Sequence, residues 1–264
     1  MMDVNMRQAL RERGLKVGTG FLEFDTPGVG QIAKAAGADY AFVDMEHSGF
    51  GIETIKRVLR YFQSADLPTV VRPPTKATHH IGQVLDAGAN AVLVPMIETA
   101  DEARDAVQAC RYYPDGRRGA ALGIAHDRYR GGSMAETFAA ANQNVGAIML
   151  IESVKGVENI ADIAATDGVD GLWVGAFDLS CSLKRPGDFG SREFRDAAAS
   201  VITAARKHGL NSGRLVGSPE EGARLFNEGV DWISYSADVY LLRNALKSGF
   251  DQIRALSRPR DATQ

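Results

Sequence analysis

The chain has 264 residues, of which 45% are hydrophobic and 24% are charged, and its formal net charge at neutral pH is −3. This balance excludes a strongly basic nucleic-acid-binding protein and a polyacidic tail protein. We find no apolar run near the roughly 18 residues of a membrane-spanning helix and no signal-peptide core in residues 1–18. Two cysteines, Cys110 and Cys181, cannot build a disulfide framework, so we expect a protein of the reducing cytoplasm.

Eight short apolar runs are predicted to be strands. Most are continuously apolar, which is typical of parallel strands buried on both faces. The 28 glycines are more than the average usage of about 7% predicts, and many stand just before these runs, as in AGADY and EGVDW. A glycine there fits the end of a helix that leads into a strand. The predicted strands lie within residues 18–22, 36–45, 67–73, 87–96, 146–152, 168–175, 210–217 and 229–236.

Helices are predicted between these strands from apolar spacings of three and four residues. They cover residues 32–36, 52–61, 81–85, 100–112, 160–164, 194–208, 219–227 and 239–253, with N-terminal cap signals at Thr26, Thr99 and Ser218. Strands that alternate with helices in this way predict an α/β protein with a single (β/α)8 barrel domain over residues 1–264. A doubly wound open sheet is the alternative. No nucleotide-binding glycine motif follows a strand.

The active site of such a barrel lies at the carboxyl ends of its strands. Polar side chains at those ends are Asp44, Glu46, His47, Arg72, Glu98, Glu152, Ser153, Asp178, Ser180, Arg214, Ser218 and Asp238. Glu152 and Asp178 end neighbouring strands, and two carboxylates at one mouth favour a hard cation such as Mg²⁺ or Mn²⁺. The alternative for each is a helix cap.

Two further side chains at these strand ends carry chemical hypotheses. His47 is a candidate general base, or a loop histidine without a role. Arg72 is a candidate for stabilising an oxyanion, or an ion-pair partner of Asp44 or Glu46. No lysine stands in the middle or at the end of an apolar run, which disfavours a Schiff-base mechanism.

Six segments along most of the chain resemble one family of enzymes: residues 39–48, 70–74, 84–119, 148–153, 168–180 and 229–242. They are similar to the metal-dependent (class II) pyruvate aldolases of the HpcH/HpaI family, within the phosphoenolpyruvate/pyruvate barrel superfamily. The resemblance implies a TIM barrel that cleaves a 4-hydroxy-2-oxo acid into pyruvate and an aldehyde, with Mg²⁺, Mn²⁺ or Co²⁺ as cofactor. It also implies a homo-oligomer, a dimer-based hexamer in which the C-terminal helix, residues 237–256, is exchanged between subunits. The alternative is that this helix packs on its own barrel.

The resemblance also implies roles for individual residues. His47 matches the general base, Asp86 its acidic partner and Arg72 the group that stabilises the transition state, while Glu152 and Asp178 match the metal ligands. The turn that includes Ala176 and Phe177 matches the turn whose backbone N–H groups hold the pyruvate carboxylate. The implied substrate contacts are Arg72, Leu150, Ala176, Phe177, Asp178 and Leu215.

The sequence departs from the family pattern at three positions. Leu150 replaces a glutamine that contacts substrate, Phe177 stands where a small residue is common, and Arg214 lies in the segment matching the seventh strand. Arg214 is expected either to bind an acidic aldehyde or to face solvent. These departures favour an aldehyde with a bulkier or more apolar part.

Two alternative functions stay open at this point. One is a citrate-lyase-like enzyme that acts on another 2-oxo acid or a CoA thioester. The other is a non-catalytic barrel that binds a keto acid. In each case we expect small-molecule partners and no nucleic acid or membrane partner.

Overall fold

The structure, a computed structural model, describes residues 5–257. Eight parallel strands close into a barrel in chain order, each paired with the next and the last with the first. They are β1 (Lys16–Phe21), β2 (Tyr40–Asp44), β3 (Thr69–Arg72), β4 (Ala91–Val94), β5 (Gly146–Ile151), β6 (Gly171–Val174), β7 (Asn211–Val216) and β8 (Trp232–Ala237). All eight predicted strands are present, and the closed order confirms the (β/α)8 TIM barrel over the open sheet.

Helices connect the strands. They are α1 (Met6–Ala9), α2 (Val29–Ala35), α3 (Ile52–Ser64), α4 (Thr78–Asp86), α5 (Ala100–Cys110), α6 (Met134–Asn144), α7 (Val154–Glu158), α8 (Ile160–Ala165), α9 (Ala176–Ser182), α10 (Arg192–Lys207), α11 (Pro219–Glu228) and α12 (Asp238–Leu256). The helical periodicity did not predict α1, α6, α7 or α9, because each of these helices buries only one or two residues and carries no apolar stripe.

The predicted helix caps have different outcomes. The hydroxyls of Thr99 and Ser218 accept N–H bonds in the first turns of α5 and α11, as expected. The Thr26 prediction was wrong, because α2 begins after Gly28 and its cap makes no side-chain hydrogen bond. Only the backbone carbonyl of Thr26 takes part, by accepting the N–H of Val29.

Two apolar layers build the core. One lies between the barrel and its surrounding helices. The other fills the barrel interior with large side chains that include Tyr40, Trp173 and Trp232, and α1 adds Met6 to it. Gly213 has no side chain because the Trp173 ring occupies the space that its Cβ would need. The interior is thus a packed core, and the open mouth at the carboxyl end of the strands is left for chemistry.

Strand register brings the polar ends of neighbouring strands to the same level. Asp44 of β2 pairs laterally with Arg72 of β3. Ile151 of β5 pairs with Val174 of β6, so the residues that follow, Glu152 and Gly175, are also neighbours. Among residues 5–257, none of the helices combines the length and the apolar character needed to cross a membrane.

Candidate active site

Arg72 lies at the centre of an ion-pair cluster at the barrel mouth. Its Nε and Nη2 donate to the two carboxylate oxygens of Asp44 at 2.8 and 2.6 Å, and its Nη1 lies 2.9 Å from Glu46 Oε2. Burial disfavours the charged guanidinium, but the hydrogen bonds and charge of Asp44 outweigh this cost and raise the pKa of Arg72. The sequence predicted an ion pair of Arg72 with Asp44 or Glu46, and Arg72 pairs with both. The paired orientation also fixes the plane of the guanidinium.

Glu152 follows β5 directly and is only 3% exposed. Its Oε1 accepts a 2.7 Å hydrogen bond from the backbone N–H of Met96. Burial raises the pKa of Glu152 to about 7, and the negative charges of Glu46 and Asp178 add to this effect, while the Met96 bond and Arg72 oppose it. Glu152 is not a helix cap, because Ser153 caps α7.

Gly175 makes room for the Glu152 carboxylate. A Cβ at position 175 would lie 2.6 Å from both Cβ and Oε2 of Glu152, closer than atoms can approach. Any side chain there would displace the carboxylate from the mouth. Gly175, which follows β6, is therefore needed for the position of the Glu152 carboxylate as well as for the turn.

Asp178 lies in the first turn of α9, after Ala176 and the exposed Phe177. An acidic side chain in the first turn also suits the positive end of the helix dipole. Its negative charge raises the pKa of both Glu152 and Glu46, which indicates that the three carboxyl groups share one electrostatic environment. The structure thus brings together the two side chains predicted to hold a metal.

The donor set fits a magnesium-like cation. Within residues 5–257 we find no group of three or more His, Cys, Asp or Glu side chains arranged to hold a metal. Mg²⁺ is often held by only one or two protein carboxylates, with water and substrate as its other ligands. The pKa of Glu152 is raised first by burial and then by the neighbouring negative charges, and a cation at this position would stabilise its ionised form.

The structure separates His47 from its predicted acidic partner. His47 is exposed in the loop after β2 at the mouth, beside Glu46. Asp86 ends α4, which runs back from the mouth, so it lies near the opposite end of the barrel. There its carboxylate pairs at 2.6 Å with the buried Arg118. Within one chain, Asp86 therefore does not orient His47.

Residues 19–245 match the sequence model of a family described as HpcH/HpaI aldolase/citrate lyase. The chain belongs to this family. It is 33% identical over 224 residues to a 5-keto-4-deoxy-D-glucarate aldolase of Klebsiella pneumoniae subsp. pneumoniae, covering 85% of this chain and 87% of the relative. Membership confirms the resemblance inferred from the sequence and makes the chain a carbon–carbon lyase of the aldolase kind.

Solved structures of family members share the whole barrel. A HpcH/HpaI aldolase/citrate lyase family protein from Burkholderia cenocepacia has 32% sequence identity and a TM-score of 0.87, over 94% of this chain and 98% of that one. A HpcH/HpaI aldolase from Desulfitobacterium hafniense has 27% identity and a TM-score of 0.90, over 98% of this chain and all of that one, 100%. The barrel architecture thus extends over nearly the full length of both chains.

Leu150 and Leu215 lie below the mouth of this family barrel. Leu150 is buried in the barrel interior, and Leu215 packs against the same cluster. A Cβ at Gly175 would lie 3.2 Å from Leu150 Cδ1, so Leu150 lies close beneath the Glu152 carboxylate. The leucine replaces the amide of the family glutamine with an apolar surface at this depth.

Arg214 was predicted either to bind substrate or to face solvent, and both expectations were wrong. Its neighbour Gly213 faces the barrel interior, so Arg214 projects outward, where it is only 4% exposed. It pairs with Glu221 of α11 at 3.1 Å and lies over the ring of Phe194 in α10, 5.0 Å from its centroid. Alternation of side chains along a strand is the reason.

Phe177 is 65% exposed beside the mouth, where the family usually has a smaller residue. Its ring meets the ring of Phe189 edge-on, with centroids 5.4 Å apart and an interplanar angle of 89°. This contact orients an apolar surface at the rim of an otherwise charged site.

The sequence did not predict Met96, which contacts Glu152, or Lys76, which contacts Met96. Met96 donates its backbone N–H to Glu152, and Lys76 donates to the Met96 carbonyl at 2.8 Å. Both contacts use backbone groups of Met96, so the residue type at position 96 does not indicate them. The positive φ of 54° at Met96 is visible only in the folded chain.

Proposed function

We propose that the chain is a metal-dependent aldehyde-lyase that reversibly cleaves a 4-hydroxy-2-oxo acid into pyruvate and an aldehyde. The observation that carries the proposal is the buried Glu152 carboxylate, grouped with Asp178 and Arg72 at one barrel mouth. The relative named as a 5-keto-4-deoxy-D-glucarate aldolase supports a substrate of the keto-acid class.

Glu152 and Asp178 are the residues that would hold the divalent cation, Mg²⁺ or Mn²⁺ with Co²⁺ as a third candidate. When bound, the cation supplies Lewis-acid stabilisation of negative charge on the keto oxygen of the substrate. The remaining work falls to side chains and backbone groups of the chain.

Arg72 stabilises the oxygen that becomes negative. A guanidinium has five N–H donors, and three hydrogen-bond or ion-pair contacts engage Asp44 and Glu46. The others remain for the substrate, held in a fixed plane by Asp44. Such preorganised donors act at the developing charge without reorganising.

His47 moves the proton. In cleavage its imidazole accepts the proton of the C4 hydroxyl, the C3–C4 bond breaks, and the electron pair moves into the pyruvate enolate as the aldehyde leaves. Addition is the reverse, and protonation at C3 releases pyruvate. The exposure of the His47 side chain in the loop after β2 supports this role.

The remaining substrate contacts surround this centre. The backbone of Ala176, Phe177 and Asp178 is proposed to bind the pyruvate carboxylate, with Leu150 and Leu215 beneath it. The exposed Phe177 ring favours an aldehyde that carries an apolar part.

A homo-oligomer is part of the proposal. Only a second copy could bring Asp86 near His47, because the two lie at opposite ends of one barrel. Helix α12 exposes a row of large apolar side chains that fits a subunit interface: Leu242, Leu246, Phe250 and Ile253. A dimer-based hexamer with exchange of this helix satisfies both observations.

The cytoplasmic location, the small-molecule partners and the single domain over residues 1–264 are likewise proposed. Residues 1–4 and 258–264 of that domain lie outside the described residues.

The direct test is enolate formation without an aldehyde. Proton NMR follows the exchange of pyruvate methyl protons in D₂O with Mg²⁺ or Mn²⁺, with EDTA as the metal-free control, and pyruvate release is then measured on a panel of 4-hydroxy-2-oxo acids. We expect exchange that requires metal and is lost in Glu152→Gln and His47→Ala. Glu98→Gln, which removes a carboxylate bound to Ser153 and Lys155, should retain it. Chelator-insensitive exchange would contradict the metal assignment, and turnover only of CoA thioesters would favour the citrate-lyase alternative.

A further inference from the structure

Met96 adopts an unusual backbone conformation two residues beyond β4. Its φ is 54°, in the left-handed region that non-glycine residues rarely occupy. Both backbone groups of this residue make polar contacts with the site. The N–H donates to Glu152 Oε1 at 2.7 Å, and the carbonyl accepts from Lys76 Nζ at 2.8 Å.

Lys76 is itself held in place by α5. Its Nζ lies 2.7 Å from Oε1 of Glu102, whose other oxygen accepts the backbone N–H of Glu98 at 2.8 Å. A continuous series of polar contacts therefore runs from α5 through Lys76 and the Met96 peptide to the Glu152 carboxylate. Glu102 connects the loop after β3 to the loop after β4.

The left-handed conformation of Met96 points to a functional constraint on this residue. A left-handed residue persists when its surroundings over-determine it, and such residues concentrate at functional sites. Here the surroundings include the two hydrogen bonds, one of which ends on the carboxylate proposed to bind metal, and the N–H of Ile97, which donates to the Leu150 carbonyl. Groups that orient a metal ligand from behind commonly change metal affinity when they are removed.

We propose that Lys76 and the backbone of Met96 are positioning residues for Glu152. Lys76 holds the backbone of Met96 in its left-handed conformation through the Met96 carbonyl. The Met96 N–H then binds and orients one oxygen of Glu152, and the other oxygen is left for the cation. This inference rests on the metal site proposed above.

Electrostatics alone makes the opposite prediction for Lys76. A lysine near a cation site repels the cation, so its removal by itself should tighten metal binding. Loss of positioning should weaken it. The sign of the change in metal affinity therefore separates the two effects.

Lys155 offers a matched control. It is a lysine at the same mouth, and its Nζ lies 3.1 Å from Glu98 Oε2. It is not among the residues that bond to the Met96 peptide. Lys155→Met removes the same charge from the same rim without touching the positioning contacts.

The experiment measures Mn²⁺ affinity of the full-length chain by calorimetry, without substrate. We expect Lys76→Met to weaken binding about tenfold, and Lys155→Met to leave it unchanged or tighten it. Lys76→Met that binds Mn²⁺ as tightly as the unmodified chain would overturn the inference. An unmodified chain that binds no Mn²⁺ would instead overturn the proposed metal site, and the positioning role with it.

A second pair of variants tests the backbone directly. Glycine adopts positive φ readily, whereas a β-branched residue does so rarely. Met96→Gly should keep Mn²⁺ affinity within about threefold, and Met96→Val should lose about tenfold. Thermal unfolding without metal identifies a variant that fails to fold. If Lys76→Met fails to fold, the comparison of Met96→Gly with Met96→Val tests the positioning role instead. Equal affinities of the two Met96 variants would overturn the role of the left-handed peptide.

Discussion

Asp44 and Arg72 occupy directly paired positions of β2 and β3, and their side chains meet through two hydrogen bonds of 2.8 and 2.6 Å. Asp44 is only 1% exposed, and the guanidinium offsets the cost of burying its carboxylate. Strand register therefore fixes a feature of the site. The contact that provides hydrogen bonds to the buried Asp44 carboxylate also orients the Arg72 guanidinium at the mouth.

Replacing Arg72 by lysine should damage both stability and chemistry. A lysine keeps the charge but not the two parallel donors. We expect the free energy of unfolding to fall by roughly 1.5–3 kcal/mol, as for a lost hydrogen bond to a charged group. Enolate formation should slow by about 10²- to 10³-fold. Denaturant unfolding and pyruvate deuterium exchange measure the two effects.

Arg214→Lys is the matched control for this substitution. Arg214 is also a buried arginine with a carboxylate partner, Glu221, but it lies outside the barrel mouth. Its replacement should lower stability and leave the exchange rate within a few-fold. Equal losses of exchange in both variants would mean that Arg72 acts only through stability.

Metal binding should depend on pH through Glu152. Burial raises the pKa of this carboxyl group to about 7 in the metal-free chain, so below that pH the cation must displace a proton. The Mn²⁺ association constant should therefore fall about tenfold for each pH unit below 7 and level off above it. Calorimetry over pH 5.5–8.5 at constant ionic strength, about 0.1 M, measures this slope. Glu152→Gln should bind weakly with a flatter slope, and an equally steep slope there would assign the proton elsewhere.

The same shift has a consequence for stability. The folded metal-free chain binds a proton at Glu152 that the unfolded chain has already released, so its stability should fall as pH rises from the ordinary carboxyl range toward 7. Bound metal should remove this loss. Thermal unfolding with and without Mn²⁺ checks the sign: the stabilisation by metal should be larger at pH 8 than at pH 6.

Gly175→Ala should displace the Glu152 carboxylate. The new Cβ would lie 2.6 Å from Glu152 Oε2, so the carboxylate must move. We expect a loss of about 10- to 100-fold in Mn²⁺ affinity. Gly190→Ala is the control, because its Cβ would meet only Asp188 Oδ1, at an ordinary 3.6 Å. Unchanged affinity in Gly175→Ala would show that Glu152 can bind metal from another position.

Charges on the apolar row of α12 should dissociate the proposed oligomer. Leu246 and Phe250 are nearly half exposed on this helix, and burying an unpaired carboxylate in an interface is costly. The double variant Leu246→Asp, Phe250→Asp should sediment as a monomer. Ser248→Asp adds a charge to the same helix at a residue that bonds Gln252, and should not dissociate it. A monomeric unmodified chain would refute helix exchange.

Much of the fold follows from local features of the sequence. A short, mostly apolar run, often preceded by a helix-ending glycine, identifies a buried strand, so all eight strands were predictable. Helix α9 was not predictable, because it buries only Leu179 and Ser180 and so shows no apolar spacing. The charged side chains at strand ends were also predictable as a group, since parallel strands all end at one mouth.

The barrel, the family and the side chains at the mouth were all predictable from short segments of sequence, because such segments reveal strand order and strand ends. What each side chain does at the mouth depends on the folded chain. The direction of α4 carries Asp86 to the far end of the barrel, and side-chain alternation turns Arg214 outward. Burial raises the pKa of Glu152, and the backbone of Met96 holds that carboxylate. These depend on contacts between distant parts of the chain, which no local pattern encodes.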